Sequence, residues 1–284
     1  MRRFGRLIEN SELSSITFDH NSNIKQLIYD FGVICLRFEE KLTPDRFLEI
    51  ARCIGVPKEQ LLRDHRLSGF PEISIISNKQ KDVLGSGKKI VLGSHWHTDD
   101  SYLSKPTSFT LLHSNVIPGD GMGDTVFADT QAAWSELDSD FKKNILKLRA
   151  VHKYQSRRNK SLVPSRSKDE KDESSDVVHP LVRVLPESNK ECIYLNPNRI
   201  DHILDLPFQE GDKILDQLLD FCTSPRFIYK HRWKVGDVVI WDNRRVQHRG
   251  TGYDESKYRR IMHRTTVKGD MSSIDEKVDL AVYA

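Results

Sequence analysis

Short segments with the patterns of β-strands dominate this chain after residue 90, whereas helical patterns are concentrated before it and in insertions. Strand-like segments in the last third, FIYKHRW, DVVIW and RRIMHRTTV, are rich in β-branched residues or alternate apolar with polar ones. A chain with many short strands must bury one face of each sheet against another layer. We therefore predict a mainly β fold with flanking helices, of the sandwich or jelly-roll type.

Helical periodicity and capping residues mark the early part of the chain. Residues 23–31 carry an apolar face, and Gly32 follows them as a C-terminal cap. Residues 43–55 begin with Thr43 at the N-cap and Pro44 at the first helical position, and they end on a glycine. Further helices are predicted over 130–137, 138–148 and 208–222, and strands over 33–37 and 73–77.

The composition is that of an ordinary globular protein, with 37% hydrophobic and 30% charged residues among 284. The net charge of +3 is too small to indicate a nucleic-acid partner. No apolar run approaches the ~20 residues of a membrane-spanning helix, and the first residues lack the apolar core of a secretory signal. Four widely spaced cysteines favour free thiols in a reducing cytoplasm. We expect one cytoplasmic domain over residues 1–284, without a membrane or nucleic-acid partner.

The segment 155–176 is polar, charged and poor in apolar residues. We expect a mobile lid or insertion near residues 155–178, and the alternative is a solvated surface insertion without a role. Arg157, Arg158 and Lys160 in this segment could attract an anionic substrate, although a run of charges more often forms a solvated face.

The segment GSHWHTDDSY contains His97 and Asp99, which are two residues apart. In an extended chain such residues point to the same side, so their side chains can converge on one metal ion. Two histidines and one carboxylate on one face of an octahedral iron(II) leave three positions for a chelating 2-oxo acid and O2. The His-x-Asp triplet is a weak signal by itself, because it also occurs by chance.

Such a site needs a second, distant histidine, and His248 is our candidate. It follows the apolar segment DVVIW and a turn that contains Asp242 and Asn243, whose side chains favour Asx-type turns. The remaining histidines that we considered lack a second member at useful spacing. We interpret them as structural: His113, His152, His179, His202, His231 and His263.

Arginines in the last strand-like segment are candidates for an anion site. In RRIMHRTT, Arg260, Met262 and Arg264 share one face of an extended strand, and His263 points away from it. Two arginines inside a barrel are costly unless they meet anions, such as the carboxylates of 2-oxoglutarate. The glycines of GDGMGDTVFAD permit a tight turn before a strand, where Thr125 offers a hydroxyl.

Taken in order, WHTD, the Gly-Asp-Thr turn, WDNR…QH and RRIMHRTT resemble the motifs of the taurine and phenoxyacetate-herbicide (TauD/TfdA) dioxygenase family. The resemblance extends over nearly the whole chain, from about residue 24 to residue 270. It implies a double-stranded β-helix, which is a cupin-like jelly roll, with iron(II), 2-oxoglutarate and O2. The chain departs from the family at Met122, where a glycine is usual, and we expect this to alter the turn slightly and to leave Thr125 in place.

The resemblance also implies roles for individual residues. The residues that it implies as iron ligands, and as the catalytic set, are His97, Asp99 and His248. The residues that it implies for 2-oxoglutarate are Thr125 and Arg260. Arg264 matches the arginine that holds the sulfonate of the substrate in the taurine enzymes, and the alternative role that the resemblance implies is binding of the co-substrate.

The reaction class follows from the carboxylate ligand. Halogenases of this chemistry have a small residue in place of Asp99, so hydroxylation of a substrate with formation of succinate and CO2 is favoured over halogenation. We expect a small, anionic substrate such as a sulfonate, an aryloxy acid or an amino-acid-like molecule. Tyr102, Trp241 and His95 are candidates for contacts with it, with ordinary packing or surface roles as the alternative. Relatives of this kind often form homodimers or homotetramers.

Two other functions remain open from the sequence alone. Zinc with a bound water also accepts two histidines and an aspartate, which would give a zinc-dependent hydrolase. That reading explains neither the paired arginines nor Thr125. The other is a catalytically silent β-barrel binding module, against which the complete set of ligands argues.

Overall fold

The structure is a computed structural model and describes residues 4–19, 22–89, 93–159 and 163–269. Its helices are α1 (Ile24–Phe31), α2 (Pro44–Arg52), α3 (Thr130–Glu136), α4 (Ser139–Ile145), α5 (Lys168–Asp172) and α6 (Phe208–Cys222). Short 3-10 helices span Asn10–Ser15, Arg63–His65 and Pro225–Phe227. Its strands are β1 (Arg6–Ile8), β2 (Val33–Arg37), β3 (Arg66–Leu67), β4 (Phe70–Ser77), β5 (Phe109–Val116), β6 (Thr125–Asp129), β7 (Arg149–His152), β8 (Val177–Pro180), β9 (Val182–Leu185), β10 (Lys190–Ile193), β11 (Ile200–Ile203), β12 (Ile228–His231), β13 (Asp237–Asp242), β14 (Val246–Gly250) and β15 (Ile261–Val267).

Seven strands form a main sheet in the order β1-β2-β13-β5-β15-β4-β3. The pair β1 and β2 is parallel, and the other neighbours in this sheet are antiparallel. Smaller sheets have the orders β12-β6-β14, β11-β7-β8 and β10-β9. Most neighbours in the main sheet are far apart in sequence, which is typical of a jelly roll. The predicted mainly β fold with flanking helices is confirmed.

Side chains on the two faces of the main sheet belong to two different hydrophobic cores. Val238 and Ile240 of β13 belong to a core that includes residues of α1 and α2. Val239 and Trp241, on the other face, belong to a core that also contains Phe127 of β6. Because residues two apart on a strand share a face, helices cover one side of the main sheet and the sheet β12-β6-β14 covers the other. A third core joins α3 and α6 to the remaining small sheets.

The early elements agree with the sequence predictions except at one helix end and at the start of β4, which begins at Phe70 instead of residue 73. Helix α1 ends at Phe31, and Gly32 takes the positive φ of +70° that a glycine cap adopts readily. Helix α2 follows Thr43, whose hydroxyl accepts a hydrogen bond from the N–H of Arg46. It ends at Arg52 rather than at residue 55, because the N–H groups of Cys53 and Ile54 also bond carbonyls three residues back and tighten the last turn.

Two later elements are shorter than their sequence patterns predict. Helix α4 ends at Ile145 instead of residue 148, because β7 starts at Arg149 and pairs with β8 and β11. Strand β15 starts at Ile261 instead of residue 259, and its pairing with β5 shifts register between Ile261 and Met262. Arg260 therefore lies just before the strand, where the irregular backbone allows its side chain a direction different from that of Arg264.

The described part of the segment 155–178 contains helix α5, which the composition did not indicate. Ser167 and Glu170 form a reciprocal capping box at its N-terminus. Glu170 is buried and accepts a hydrogen bond of 2.9 Å from the backbone N–H of Arg63, which belongs to the N-terminal part of the chain. These contacts anchor the segment on one side, and its role as a mobile lid stays a prediction.

All four cysteines are free thiols, as the sequence predicts. Burial raises the pKa of the Cys192 thiol to about 12, which keeps it protonated at neutral pH. In the ranges that the structure describes, no helix is both long and apolar enough to cross a membrane.

His113, a buried histidine of β5, must be neutral in the folded protein. Its Nε2 accepts a hydrogen bond from the N–H of Leu42, and its Nδ1–H donates to the carbonyl of Asp237, both at 3.1 Å. Burial is the largest cause that lowers its pKa from 6.5 to about 4. Between these two values the unfolded chain binds a proton that the folded chain excludes, so stability falls as the pH falls.

We predict that His113→Gln reduces this loss of stability, because a glutamine keeps one donor and one acceptor and does not titrate. Urea unfolding of both proteins between pH 7 and pH 4 measures the effect. The wild-type free energy of unfolding should fall more steeply than that of the variant, by up to about 1.4 kcal/mol per pH unit. Parallel curves would show that His113 does not contribute to the acid sensitivity.

Candidate metal centre and active site

His97 and His248 are brought together by a short antiparallel bridge beside β14. The N–H of His97 donates to the carbonyl of His248 at 3.0 Å, and the reverse hydrogen bond is 2.8 Å long. The centroids of the two rings are 4.1 Å apart. Strand β14 pairs with β6, so the second sheet determines where the distant histidine lies.

Asp99 completes the cluster that the sequence predicts. Its Oδ1 lies 3.8 Å from Nε2 of His97, and its Oδ2 lies 3.8 Å from Nε2 of His248. All three side chains offer ligand atoms within 4.8 Å of one another. Two bonds of about 2.1 Å to one shared ion can span about 4.2 Å, so a single ion can join these atoms. The residues and their spacing therefore fit an iron(II) ion.

Asn243 links the segment that carries His97 and Asp99 to the main sheet by hydrogen bonds. Its Oδ1 accepts hydrogen bonds from the backbone N–H of Asp99 at 3.2 Å and from Nε1 of Trp241 at 2.9 Å. Its Nδ2 donates to the hydroxyl of Thr110 at 2.7 Å, and this hydroxyl donates to Oδ2 of Asp99 at 2.7 Å. The sequence predicts only a turn-forming role for Asn243, whereas the structure shows it at the centre of a buried network that orients Asp99.

The cluster has the charge state that a metal ion requires. Burial alone would raise the pKa of Asp99, but Arg264 and the two imidazoles lower it below its usual value. Burial lowers the pKa of His248 to about 3 and also lowers that of His97. One carboxylate and two neutral imidazoles are the forms that bind metals. Nδ1 of His97 is hydrogen-bonded to the carbonyl of His95 at 2.8 Å, which leaves Nε2 as the ligand atom.

A second group of candidate ligands, Cys35, His231 and Asp237, also lies within 4.8 Å. Asp237 already binds Arg37 there, through hydrogen bonds of 2.7 and 2.9 Å, and it lies 2.9 Å from Nε2 of His231. Burial raises the pKa of Cys35, so its thiol stays protonated. These contacts give His231 the structural role that the sequence predicts. A cavity opens beside His97, Asp99 and His248, and the other histidines with a predicted structural role do not line it.

Arg260 lines the cavity that opens onto the metal cluster, as predicted, together with Arg264. Met262 between them packs into the core between the sheets. Within the described ranges no carboxylate oxygen lies within 4.0 Å of Arg260, and its buried Nε has no hydrogen-bond partner. Burial lowers the pKa of Arg260. An anion in the cavity would compensate this buried charge.

Thr125 lies at the start of β6 and also lines this cavity. Its hydroxyl oxygen accepts a hydrogen bond of 3.0 Å from Nε1 of Trp233, which leaves the hydroxyl proton available to an acceptor in the cavity. Gly123 precedes it with a φ of +80°, and a Cβ there would meet Tyr253 and Pro118 at 3.1 and 3.2 Å. The side chain of Met122 is exposed and does not line the cavity, so its effect on the position of Thr125 stays a prediction.

Arg264 differs from Arg260, because it already has partners. Its guanidinium donates to Oδ1 of Asp99 and to Oε1 of Gln60, at 3.1 Å each. Gln60 is itself held by a hydrogen bond from its Nε2 to the hydroxyl of Thr266 at 3.1 Å. The buried Nε of Arg264 has no partner among the described residues, so this N–H remains for an anion beside the metal.

The predicted substrate contacts, Tyr102, Trp241 and His95, all line the cavity. Their roles in substrate binding stay predictions. The hydroxyl of Tyr102 donates to Asp100, 3.3 Å away, whose charge is balanced by Lys58 at 2.6 Å.

The charge run near residue 157 does not offer free cations to the cavity in its described part. Arg157 donates two hydrogen bonds to Asp212, of 2.9 and 2.6 Å, and Arg158 pairs with Asp212 and Asp216. This favours the solvated-face interpretation for both arginines. Lys160 lies outside the described residues.

Several cavity residues were not found from the sequence. The residues in question are Gln60, His65, Tyr154, Asn196 and Arg199. They are single polar or aromatic residues in loops, turns and, for His65, a short 3-10 helix, without a motif or a repeating spacing. The turn-forming run Asn-Pro-Asn before Arg199 is the one local signal that could have drawn attention to this segment.

Comparisons with known proteins find similar sequences and structures over most of this chain. The family described as "Taurine catabolism dioxygenase TauD, TfdA family" matches residues 5–266. The chain is 35% identical over 237 residues to the alpha-ketoglutarate-dependent 2,4-dichlorophenoxyacetate dioxygenase of Burkholderia sp. (strain RASC), covering 80% of this chain and 79% of that protein. It is 29% identical to the alpha-ketoglutarate-dependent sulfonate dioxygenase of Saccharomyces cerevisiae, covering 87% of this chain and 60% of that protein.

A solved structure described as AAD-2 in complex with Mn(II) and N-oxalylglycine matches with a TM-score of 0.72 and 27% identity, covering 88% of each chain. A solved structure described as a taurine dioxygenase from Burkholderia xenovorans matches with a TM-score of 0.73 over 95% of this chain and 89% of that one, at 24% identity. These similarities confirm the predicted double-stranded β-helix, a cupin-like jelly roll.

We predict that Thr110→Val weakens metal binding, because valine has the shape of threonine but cannot donate to Asp99 or accept from Asn243. Loss of such a supporting hydrogen bond lowers metal affinity by about 10- to 100-fold. Titration of the protein with Mn(II), followed by calorimetry, measures the change. Thr110→Ser keeps the hydroxyl and serves as the control, so equal affinities of the valine and serine variants would refute this role.

Proposed function

We propose, on the premise that this chain belongs to the taurine catabolism dioxygenase TauD, TfdA family, that it oxidises a small anionic substrate and forms succinate and CO2. The chain is an Fe(II)- and 2-oxoglutarate-dependent dioxygenase. The observation that carries the assignment of residues is one cavity that contains both the His97, Asp99 and His248 cluster and the unpaired Arg260. A set of metal ligands alone would fit several chemistries, whereas a cation beside it favours an anionic co-substrate.

His97, Asp99 and His248 would hold the iron on one face. Iron(II) bound there, with 2-oxoglutarate, supplies the electrons that activate O2 for attack on the substrate. The residues around it keep the ligands in place: Asn243 holds the backbone of Asp99, and Thr110 holds its Oδ2. These hydrogen bonds would orient the ligands toward the ion.

Arg260 and Thr125 would bind the carboxylate of 2-oxoglutarate that is distant from the metal. A guanidinium can form two parallel hydrogen bonds with a carboxylate, and the hydroxyl proton of Thr125 adds a third. Trp233 fixes the direction of that hydroxyl by donating to its oxygen. The buried Nε–H of Arg264, which has no partner among the described residues, suits either the other carboxylate of the co-substrate or an anionic group of the substrate.

Two observations support an anionic substrate and hydroxylation as the reaction. Arginines line the cavity, and the acidic side chains there, Asp99 and Asp100, already have cationic partners. The names of the relatives include a dichlorophenoxyacetate and a sulfonate, both of which are anions. Asp99 occupies the position that a halogenase would need for its halide, which favours hydroxylation. Four free cysteines support a reducing location such as the cytoplasm.

The zinc-dependent hydrolase is the alternative with the same ligands. It provides no reason for the unpaired Arg260 or for the available hydroxyl proton of Thr125. Metal analysis after purification without O2, combined with O2 consumption, separates the two functions. Zinc content with hydrolysis and without O2 uptake would overturn the dioxygenase proposal for this chain.

We predict that His97→Ala and Asp99→Ala each abolish succinate formation that depends on a substrate. Each change removes one of three metal ligands and leaves an incomplete set. Succinate release and O2 uptake, measured with iron(II), 2-oxoglutarate and a panel of sulfonates, aryloxyacetates and amino acids, test this. His202→Ala is the control, because His202 pairs with Asp201 outside the cavity and should keep wild-type turnover. Wild-type turnover in either ligand variant would refute the metal assignment.

We predict that Arg260→Met weakens 2-oxoglutarate binding by about 100-fold, because a charge-assisted pair with a carboxylate is lost. Calorimetry with Mn(II) and without O2 gives the dissociation constant. The neighbouring Arg259→Met is the matched control, since Arg259 is exposed and does not line the cavity. Similar affinities for the two variants would show that Arg260 does not bind the co-substrate.

A further inference from the structure

A third arginine, Arg199, also lines the cavity at the metal cluster. It lies in the turn before β11, outside every motif that the sequence analysis identified. Its guanidinium lies over the rings of Tyr102 and Tyr154, at 5.1 and 4.7 Å from their centroids. The two rings meet edge to face, with centroids 5.1 Å apart and an interplanar angle of 86°.

Arg199 brings an uncompensated positive charge to this cavity. In the described parts of the chain, no carboxylate oxygen lies within 4.0 Å of its guanidinium, whereas Arg264 in the same cavity has Asp99. One Nη donates to the backbone carbonyl of Tyr154. A guanidinium has five N–H donors in one plane. With aromatic rings beside it, the remaining N–H groups form an edge that suits a carboxylate.

The position of Arg199 is fixed relative to the metal ligands. Its backbone N–H donates to the carbonyl of Asn196 at 2.9 Å, and Nδ2 of Asn196 donates to the carbonyl of Thr98 at 2.7 Å. Thr98 lies between the two ligands His97 and Asp99. A molecule held by Arg199 is therefore held at a constant place with respect to the iron site, as oxidation at a defined carbon requires.

Part of the wall of the cavity that Arg199 lines is apolar. The cavity walls include Leu61, Leu62, Ile76, Val163 and Pro164 beside the two tyrosine rings. The hydroxyl of Tyr154 donates to the carbonyl of Pro164 at 2.9 Å, so the ring presents its apolar part to the cavity. A ligand that satisfies this environment has one anionic end and an apolar body.

We propose that Arg199 binds the carboxylate of the primary substrate, and that this substrate is a carboxylic acid with an apolar body. The inference rests on the proposed function, because 2-oxoglutarate places one carboxylate at the metal and the other at Arg260. Arg199 is then the cation in the cavity that neither the co-substrate nor Asp99 neutralises.

The alternative role for Arg199 is a structural one, in which it holds Tyr154 in place. The chain offers a matched control that distinguishes this role from substrate binding. Arg166 also lies over the ring of Tyr154, at 4.0 Å, but does not line the cavity. It is held by a hydrogen bond of 3.1 Å to the carbonyl of Ser174. Arg166→Met therefore removes a cation from the same ring without removing one from the cavity.

The experiment measures binding to the complex of the protein with iron(II) and 2-oxoglutarate, without O2. The ligands are 2,4-dichlorophenoxyacetate, phenylacetate and octanoate, and the corresponding amides. In the wild type the acids should bind more tightly than their amides. Arg199→Met should weaken the acids at least about tenfold, since a charge-assisted pair is lost. It should leave the amides and 2-oxoglutarate unchanged, Arg199→Lys should be intermediate, and Arg166→Met should resemble the wild type.

Unchanged acid binding in Arg199→Met would overturn the proposal. So would an equal loss of acids and amides, an equal effect of Arg166→Met, or a wild type that binds none of the acids more tightly than its amide. Failure of the proposed function has a different signature, because the wild type would then not bind 2-oxoglutarate in the presence of iron(II). Acid binding that depends on Arg199 can be measured in either case.

Discussion

The buried charge of Asp99 is the constraint on which the arrangement of this site depends. A carboxylate removed from water must be paired and hydrogen-bonded. Arg264 of β15 binds one of its oxygens and Thr110 of β5 binds the other, while Asn243 holds its backbone from the turn after β13. These three elements are neighbours in the main sheet. The sheet order therefore places the carboxylate, and an iron ion would add one more positive partner to a charge that is already compensated.

The convergence of His97 and Asp99 could be predicted from the sequence because it depends on local geometry, whereas the place of His248 depends on the pairing of β14 with β6. His97 and Asp99 are two residues apart, and His248 follows a strand with a clear apolar pattern. The supporting residues could not be predicted in this way. Thr110 and Asn243 are 11 and 144 residues from Asp99 in the chain, and a threonine or an asparagine at such distances carries no spacing signal. Their roles arise from strand pairing, which a single sequence does not reveal.

The same reason explains the errors at the ends of elements. The apolar pattern of residues 138–148 continues past the end of α4, because Leu148 still packs in the core although the helix has ended in a turn. Arg260 fits the alternation of β15 in the sequence, yet it lies before the strand because the register shifts at Ile261. Local patterns report which side chains are buried, and tertiary pairing decides which backbone conformation buries them.

The distribution of charge in the cavity also bears on how such an enzyme rejects the wrong substrate. Arg199 and Arg260 both lack a carboxylate partner among the described residues, so each is best satisfied by a ligand. A neutral molecule of the same shape would cover Arg199 with apolar surface and separate it from water without offering an anion. The free energy of leaving that guanidinium desolvated opposes the binding of neutral analogues. Selectivity then has two sources. Desolvation of Arg199 opposes the binding of neutral analogues, and the ion pair with Arg199 favours the binding of an anionic substrate.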